Sequence, residues 1–240
     1  MSHVTPFPQL LAAAVGSSLI AAAAYRLRAL TSRGAWAAAA CGTILYGAGG
    51  WPWVALVGAF FVTSSALTRL ESLGARRGGQ SRDRAGRDWT QVVANGGAAA
   101  ITALAYGVTG SALCLVAGAG AVAVATADTW ATEIGRFSGS EPRILTTWRR
   151  APRGASGGVT GLGVLGGCAG AGLIALVGAA FVAPPAARVA AAVAIAGISG
   201  SLVDSILGAT VEQRWHWITN NTVNCVATAW GAIAAAALVR

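Results

Sequence analysis

The chain contains 240 residues, of which 55% are hydrophobic and 10% are charged, and its mean hydropathy is +0.62. A soluble domain of this size would need far more surface charge, so this composition excludes one. The 17 basic residues are all arginine and give a formal net charge of +9. The absence of lysine excludes a P-loop and Schiff-base chemistry, both of which require that side chain.

Long uncharged runs predict the fold class. They cover 34–68, 89–127, 154–187 and 217–239, and each is long enough for one or two crossings at about 20 residues per helix. Glycine and proline breaks divide them. We therefore predict an all-α polytopic membrane helix bundle of about eight transmembrane helices, with residues 1–240 as a single integral-membrane domain. The predicted segments are 10–25, 35–46, 53–67, 92–106, 111–130, 159–182, 189–207 and 221–239.

The arginines lie almost entirely in alternate loops. The loops after segments one, three, five and seven hold 15 of the 17, whereas the loops after segments two, four and six hold only Arg188. Because arginine-rich loops stay in the cytoplasm, we predict that both termini lie outside and that any chemistry faces the cytosol. We expect the protein to lie in the cytoplasmic membrane of a prokaryote.

An acidic residue inside an apolar helix is the first candidate for chemistry. Asp128 ends the uncharged run of segment five, and Glu133 follows five residues later. An intramembrane aspartate costs about 2.5 to 3.5 kcal/mol on insertion scales, so it normally faces a cavity, a partner or a metal. Both carboxylates reach one ion only if the helix ends or kinks near Trp130.

Segments seven and eight each carry a further polar group. On segment seven, a stripe of polar or small residues recurs at i, i+3, i+4 and i+7, formed by Ser201, Asp204, Ser205 and Gly208. Segment eight begins with three clustered asparagines, Asn220, Asn221 and Asn224. Capping and interhelical hydrogen bonds are an alternative role for them, but three asparagines exceed what one cap needs.

Two arginine-bearing turns precede segments four and six. The first turn contains Arg84 and Arg87 and leads into a helix that carries the amides of Gln91 and Asn95 on one face. The second is a glycine-rich turn that contains Arg153 and Ser156. Arginines beside a helix N-terminus suit phosphate, whereas a solvated positive-inside loop is the alternative for the arginines.

These polar groups all map to the predicted cytoplasmic side. Carboxylates hold Mg²⁺ alongside substrate phosphates, and arginines neutralise the charge of phosphoryl transfer. The residues therefore predict a site for phosphates and Mg²⁺ at the cytoplasmic membrane surface, serving a lipid-soluble substrate.

Small residues and tryptophans have simpler interpretations. Glycines four residues apart, such as Gly163 and Gly167, predict close helix packing. The tryptophans at segment ends predict an interfacial belt, and comprise Trp51, Trp53, Trp89, Trp130, Trp215 and Trp217. The cysteines and histidines are too dispersed for a zinc or disulfide framework.

Five stretches carry a family resemblance, in the order 91–96, 127–135, 154–158, 200–210 and 221–224. Because of these stretches, the sequence from about residue 34 onward resembles the domain-of-unknown-function 92 family of integral membrane proteins. This family is also called the transmembrane protein 19 family. That family includes the phytyl-phosphate kinase of plant vitamin E synthesis and is distantly similar to dolichol and phytol kinases.

The resemblance implies an Mg²⁺-dependent isoprenyl-phosphate kinase. It would use a nucleoside triphosphate, with CTP as one candidate, to convert a prenyl monophosphate such as phytyl or geranylgeranyl phosphate into the diphosphate. We predict Asp128 and Asp204 as catalytic residues and, with Glu133, as metal ligands. The predicted substrate-binding residues are Arg84, Arg87, Gln91, Asn95, Arg153, Ser156, Ser201, Asn221 and Asn224.

Two other functions remain open from the sequence. One is a transporter whose intramembrane acids carry protons or a cation, and the other is a CTP-dependent lipid cytidylyltransferase. The lipid bilayer is an expected partner and nucleic acid is not, while the sequence does not determine the oligomeric state.

Overall fold

In a computed structural model, residues 7–77, 86–182 and 185–240 of the chain are described. These residues form eight α-helices and one antiparallel pair of two-residue strands, which confirms the predicted all-α class. The helices are α1 Phe7–Arg26, α2 Ser32–Ile44, α3 Trp51–Arg77, α4 Trp89–Thr109, α5 Ala112–Gly135, α6 Gly161–Ala179, α7 Ala186–Leu207 and α8 Asn220–Val239. The strands are β1 Arg143–Ile144 and β2 Gly158–Val159.

Seven of the eight described helices are long and apolar enough to cross a membrane. The exception is α2, which has 13 residues but runs directly into a π-helical turn, Leu45–Gly49. Helical structure thus covers 32–49, where the sequence predicts 35–46. The α7 helix also continues into a π-helical turn, Gly208–Glu212.

Some helices extend beyond the apolar segments that predict them. The third predicted segment, 53–67, lies within the helix Trp51–Arg77, and the fifth, 111–130, corresponds to the longer helix Ala112–Gly135. Hydrophobicity marks only the part of a helix that suits lipid. Leucine, glutamate and arginine are strong helix formers that continue these helices past it.

The central helix of the bundle is α5. It packs against α3, α4, α6, α7 and α8, and every residue from Gly118 to Ala127 is buried. A helix surrounded by protein must be apolar on all faces, which explains its long uncharged run. By contrast, α1 packs on α2 at the edge of the bundle.

Glycines allow the backbones of neighbouring helices to approach α5. A Cβ atom at Gly231 in α8 would lie 2.6 Å from the carbonyl oxygen of Gly120 in α5. A Cβ atom at Gly163 in α6 would lie 2.7 Å from the carbonyl oxygen of Ala131. Neither position has room for a methyl group, so the predicted packing through small residues is confirmed.

The prediction of an interfacial role for Trp53 is wrong. This side chain is 0% exposed, its ring centre lies 4.8 Å from that of Tyr106, and it donates its Nε1 proton to the Thr102 hydroxyl at 3.4 Å. A tryptophan near a helix end can therefore be part of the core when its indole N–H finds a partner inside the bundle. Trp51, in contrast, is 67% exposed.

The loops after α1, α3, α5 and α7 meet at one end of the bundle. The backbone N–H of Thr31 donates to the carbonyl of Arg87, which joins the first loop to the third. Ser156 donates to Glu212, which joins the fifth loop to the end of α7. The described arginine-bearing loops therefore share one end, at which α2, α4, α6 and α8 begin with the N-caps Thr31, Asp88, Thr160 and Thr219.

We expect Gly231→Ala to lower the free energy of unfolding by about 1 to 3 kcal/mol, because the new methyl group would overlap the Gly120 carbonyl. The matched control is Gly172→Ala in α6, where a Cβ atom would meet nothing within 4 Å. Thermal unfolding of both variants in the same detergent measures the difference. An equal loss in the two variants would contradict this account of the packing.

The Asp88 carboxylate closes the N-terminus of α4. It accepts a hydrogen bond from the backbone of Gln91 at 2.9 Å, while the Gln91 side chain accepts from the Asp88 backbone at 3.2 Å. These bonds, chiefly the one from the Gln91 backbone, hold the pKa of Asp88 below its ordinary value. The charged carboxylate is therefore the form that caps the helix.

Asp88→Ala should destabilise the protein by about 1 kcal/mol at neutral pH, whereas Asp88→Asn should retain most of the cap. Because the folded-state pKa is lowered, the advantage of the wild type over Asp88→Ala exists above the ordinary carboxyl range, about pH 4. It should be lost as the pH falls through the lowered pKa. Thermal unfolding of the three proteins against pH checks this, and a pH-independent difference would refute it.

Candidate functional site

A cavity of about 1910 Å³ opens at the arginine-bearing end of the bundle. Most of the predicted site residues line it, namely Arg87, Gln91, Asn95, Asp128, Glu133, Arg153, Ser156, Ser201, Asp204 and Asn224. Two predicted residues need separate comment. Arg84 lies outside the described residues, and Asn221 is not part of the cavity wall.

Two carboxylates meet inside this cavity. Asp128 of α5 and Asp204 of α7 lie within hydrogen-bonding reach of each other. Their approach follows from packing one turn earlier, where Gly200 of α7 lies against the side chain of Val124 in α5. Since both helices run toward the same end, the next turn of each places the two aspartates side by side.

Two buried oxygen atoms of residues that line this cavity lack hydrogen-bond partners among the described residues. Asp204 and Asn224 are 8% and 7% exposed, and neither Asp204 Oδ2 nor Asn224 Oδ1 has a hydrogen-bond partner within the described part of the chain. Buried polar atoms are normally satisfied, so each such exception requires an explanation. Carboxylate and amide oxygens are ligands that suit Mg²⁺.

Glu133 also contacts residues outside the Asp128–Asp204 pair. It lies on the same uninterrupted helix as Asp128, since α5 continues to Gly135, and its charge acts on Asp128. Glu133 accepts from Thr68 at 3.0 Å and lies 3.6 Å from Arg136, which also pairs with Glu71 at 3.3 Å. Over the described ranges, no three acidic, histidine or cysteine side chains form a metal-binding group.

The loop before α4 carries Arg87 into the bundle. Its backbone N–H donates to Ala29 at 2.9 Å, and its guanidinium carbon lies 5.1 Å and 5.4 Å from the ring centres of Phe60 and Phe61. The pKa of Arg87 is lowered by burial, with the nearby charge of Glu133 opposing that shift. Arg87 is thus a largely buried cation that lies over two aromatic rings of α3.

Gln91 and Asn221 have structural roles in addition to their predicted ones. Gln91 completes the cap of α4 with Asp88, although it also lines the cavity. Asn221 donates to Thr90 at 2.6 Å, and Thr90 donates to Asp88 at 2.7 Å. This chain of hydrogen bonds ties the start of α8 to the start of α4.

The glycine-rich turn before α6 rests on the end of α7. Gly157 has a φ of +73°, and a Cβ atom there would lie 2.5 Å from the carbonyl oxygen of Ser205. Nearby, Ser156 donates to Glu212 at 2.5 Å, and Arg153 donates to the Ser138 carbonyl at 2.7 Å. Glycine is required because the turn needs both the positive φ and the close approach.

The balance of charge in the cavity favours anions. Among the described residues, six arginines line it, Arg26, Arg28, Arg69, Arg87, Arg136 and Arg153, against three acids, Asp128, Glu133 and Asp204. Residues from the first turns of α4, α6 and α8 also line it. Helix N-termini present partial positive charge, so they add to the attraction for phosphate.

Sequence reasoning missed the residues that organise these loops. Arg136 joins α3 to α5 through Glu71 and Glu133, and Glu212 holds Ser156. The i, i+3 spacing of Glu133 and Arg136 was a readable signal for one of these pairs. No local pattern connects Glu71 or Glu212 to partners more than 50 residues away.

Comparison with known proteins identifies the family. Residues 15–232 match the family described as integral membrane protein DUF92. The chain belongs to this family. It is therefore an integral membrane protein with several spans, and the predicted family is confirmed.

The relatives match along most of the chain. Protein PGR of Arabidopsis thaliana is 34% identical, over 92% of this chain and 85% of its own length. An uncharacterized membrane protein of Synechocystis is 31% identical, over 94% of this chain and 89% of its own length. Protein VTE6, chloroplastic, of Arabidopsis thaliana is 29% identical, over 86% of this chain and 64% of its own length. No solved structure matches the chain.

Proposed function

We propose that the protein is a membrane-embedded isoprenyl-phosphate kinase. It would transfer a phosphoryl group from a nucleoside triphosphate, with CTP as one candidate, to a prenyl monophosphate such as phytyl or geranylgeranyl phosphate. The observation that carries this proposal is the Asp128–Asp204 pair in an arginine-lined cavity within a membrane bundle. The family resemblance to phytyl-phosphate kinase supports the same reaction.

The residues present fit a magnesium ion. Asp128, Asp204 and Asn224 would hold it. Among the described residues, neither the Oδ2 atom of Asp204 nor the Oδ1 atom of Asn224 has a hydrogen-bond partner. When bound, Mg²⁺ supplies charge neutralisation to the phosphates. Glu133 remains a predicted ligand, but its contacts with Thr68 and Arg136 favour a role in anchoring Arg136.

The chain's own groups would position and neutralise the reactants. An oxygen of the prenyl monophosphate attacks the γ-phosphorus, and the bond to the bridging oxygen of the nucleoside diphosphate breaks. The attacking phosphate oxygen is already ionised at neutral pH, so the step requires no general base. Arginines and helix N-termini around the cavity would hold the oxygens in line, which is most of what phosphoryl transfer demands.

The apolar part of the cavity suits a prenyl chain. Residues from α1 and α3, including Ile20, Phe61 and Val62, line it together with the polar groups. A lipid-soluble substrate could thus enter from the bilayer while its phosphate reaches the carboxylate pair. The nucleotide would enter from the cytosol, consistent with the predicted orientation of the arginine-bearing loops.

Asp128→Asn and Asp204→Asn should each lower kcat by at least about 100-fold, because each removes a charge that phosphate transfer requires. Glu141→Gln is the matched control, since Glu141 is exposed and pairs only with Arg150 among the contacts described. The assay supplies purified protein with prenyl monophosphate, Mg²⁺ and each nucleotide, and detects prenyl diphosphate. Full activity in both aspartate variants would contradict the proposal.

The same assay separates the other functions. A CDP-linked lipid with release of pyrophosphate would indicate a cytidylyltransferase. Flux into proteoliposomes without nucleotide consumption would indicate a transporter. Neither product pattern is compatible with a kinase that yields prenyl diphosphate.

Mg²⁺ should raise the unfolding temperature of the wild-type protein, because a ligand that binds the folded state stabilises it. Asp204→Asn should abolish this rise, while Glu141→Gln should retain it. Removing the metal with a chelator should stop turnover, and added Mg²⁺ should restore it. A rise in unfolding temperature of equal size in wild type and Asp204→Asn would show that the pair does not hold the metal.

A further inference from the structure

One nitrogen of the Arg87 guanidinium lacks a hydrogen-bond partner among the described residues. This atom, Nη1, is buried. An isolated buried cation is expensive, so such groups are normally paired or bind an anion. Glu133 acts on Arg87 through its charge, but its carboxylate also contacts Thr68 and Arg136.

The position of this guanidinium is set by α3. It lies over Phe60 and Phe61, and Phe61 is seven residues before Thr68, where the uncharged run of α3 ends. At 1.5 Å per residue, that distance is about 10 Å along the helix. Arg87 therefore presents its charge beside the apolar part of α3, where the phosphate of an amphiphile can reach it from the bilayer.

The cavity has an apolar part beside Arg87, whose guanidinium lies over Phe61. This part is formed by α1 and α3 and is lined by Ile20, Ala23, Ala24, Phe61, Val62 and Ala66, which we call the α1–α3 groove. Ile20 and Val62 are 64% and 65% exposed. In a membrane, such exposed side chains face acyl chains, so the groove is continuous with the hydrocarbon.

Another part of the cavity wall has a different character. There the turn that contains Arg153 and Gly157 leads into the N-terminus of α6. Arg153 and Gly154 are exposed, and the Arg153 guanidinium is held at the turn by the carbonyls of Arg136 and Ser138. This wall has the features of a phosphate site that opens to water, and the Asp128–Asp204 pair lines the same cavity.

We propose that Arg87 binds the phosphate of the lipid acceptor, whose prenyl chain occupies the α1–α3 groove, and that the turn around Arg153 binds the nucleotide phosphates. This assignment deepens the proposed kinase function and rests on it for the identity of the lipid. It makes Arg87 the residue that selects an amphiphile with a terminal phosphate. The two substrates then approach the carboxylate pair from lipid and from water respectively.

Binding without turnover tests the assignment. Purified protein in detergent is titrated with geranylgeranyl monophosphate in the absence of nucleotide, and separately with CTP and Mg²⁺. Arg87→Gln should weaken lipid binding by about 10- to 100-fold, as expected for loss of a charged hydrogen bond, and leave CTP binding within about 2-fold. Arg153→Gln should show the reverse pattern. Arg149→Gln, an exposed arginine outside the cavity, is the matched control and should change neither.

Photocrosslinking locates the prenyl chain independently of Arg87. A benzophenone amino acid at Val62 should capture geranylgeranyl monophosphate, and excess unlabelled lipid phosphate should compete. The same amino acid at Leu165, which is 68% exposed on α6 and outside the cavity, is the control. Equal capture at the two positions would overturn the groove assignment, even if Arg87→Gln fails to fold.

The outcomes separate this inference from the kinase proposal. Lipid phosphate binding that depends on Arg87, without turnover on any nucleotide, would support the subsite and reject the kinase. Turnover with lipid affinity unaffected by Arg87→Gln would support the kinase and reject the subsite. Arg87→Lys, which keeps the charge, should retain part of the binding that Arg87→Gln loses.

Discussion

The proximity of Asp128 and Asp204 is the constraint on which the rest of the site depends. Two carboxylates within hydrogen-bonding reach repel each other unless they share a proton or a cation. Their place on two membrane helices makes the repulsion more costly than in water. A pair of this kind has an energetic cost, and the oxygens of Asp204 and Asn224 that lack hydrogen-bond partners among the described residues add to it. A bound cation would relieve both effects.

This pair exists because small residues bring the helices together. Gly200 lies against Val124 one turn before the aspartates, and Gly120 lies against Gly231 at the crossing of α5 with α8. Larger side chains at these glycines would separate the backbones and draw the carboxylates apart. Packing in the middle of the bundle therefore sets the geometry of the polar end, although no glycine carries any chemistry itself.

The arginines that line the cavity make different kinds of contact. Arg136 ties α3 to α5 through Glu71 and Glu133, and so holds the wall of the cavity. Arg87 and Arg153 both line the cavity, the first over Phe60 and Phe61 and the second on an exposed turn. The proposed reaction between an amphiphile and a soluble nucleotide would use both.

The sequence by itself determined the helical class, the order of the helices and the sharing of one end by the arginine-bearing loops. These features follow from hydropathy and charge, which are properties of consecutive residues. It also selected Asp128, Asp204 and Asn224 as polar residues within otherwise apolar helices, because such residues need a partner other than lipid. The sequence placed these three residues on one side of the membrane, and the structure shows that all three line one cavity.

Only the tertiary structure decided which of these residues belong together. Glu133 is five residues from Asp128 on the same helix, yet its carboxylate accepts a hydrogen bond from Thr68 of α3 and pairs with Arg136. Asn221 and Asn224 differ by three residues, but the first ties α8 to α4 and the second lines the cavity. The physical reason is that a side chain's direction depends on which helices surround its own, and those neighbours come from distant parts of the chain.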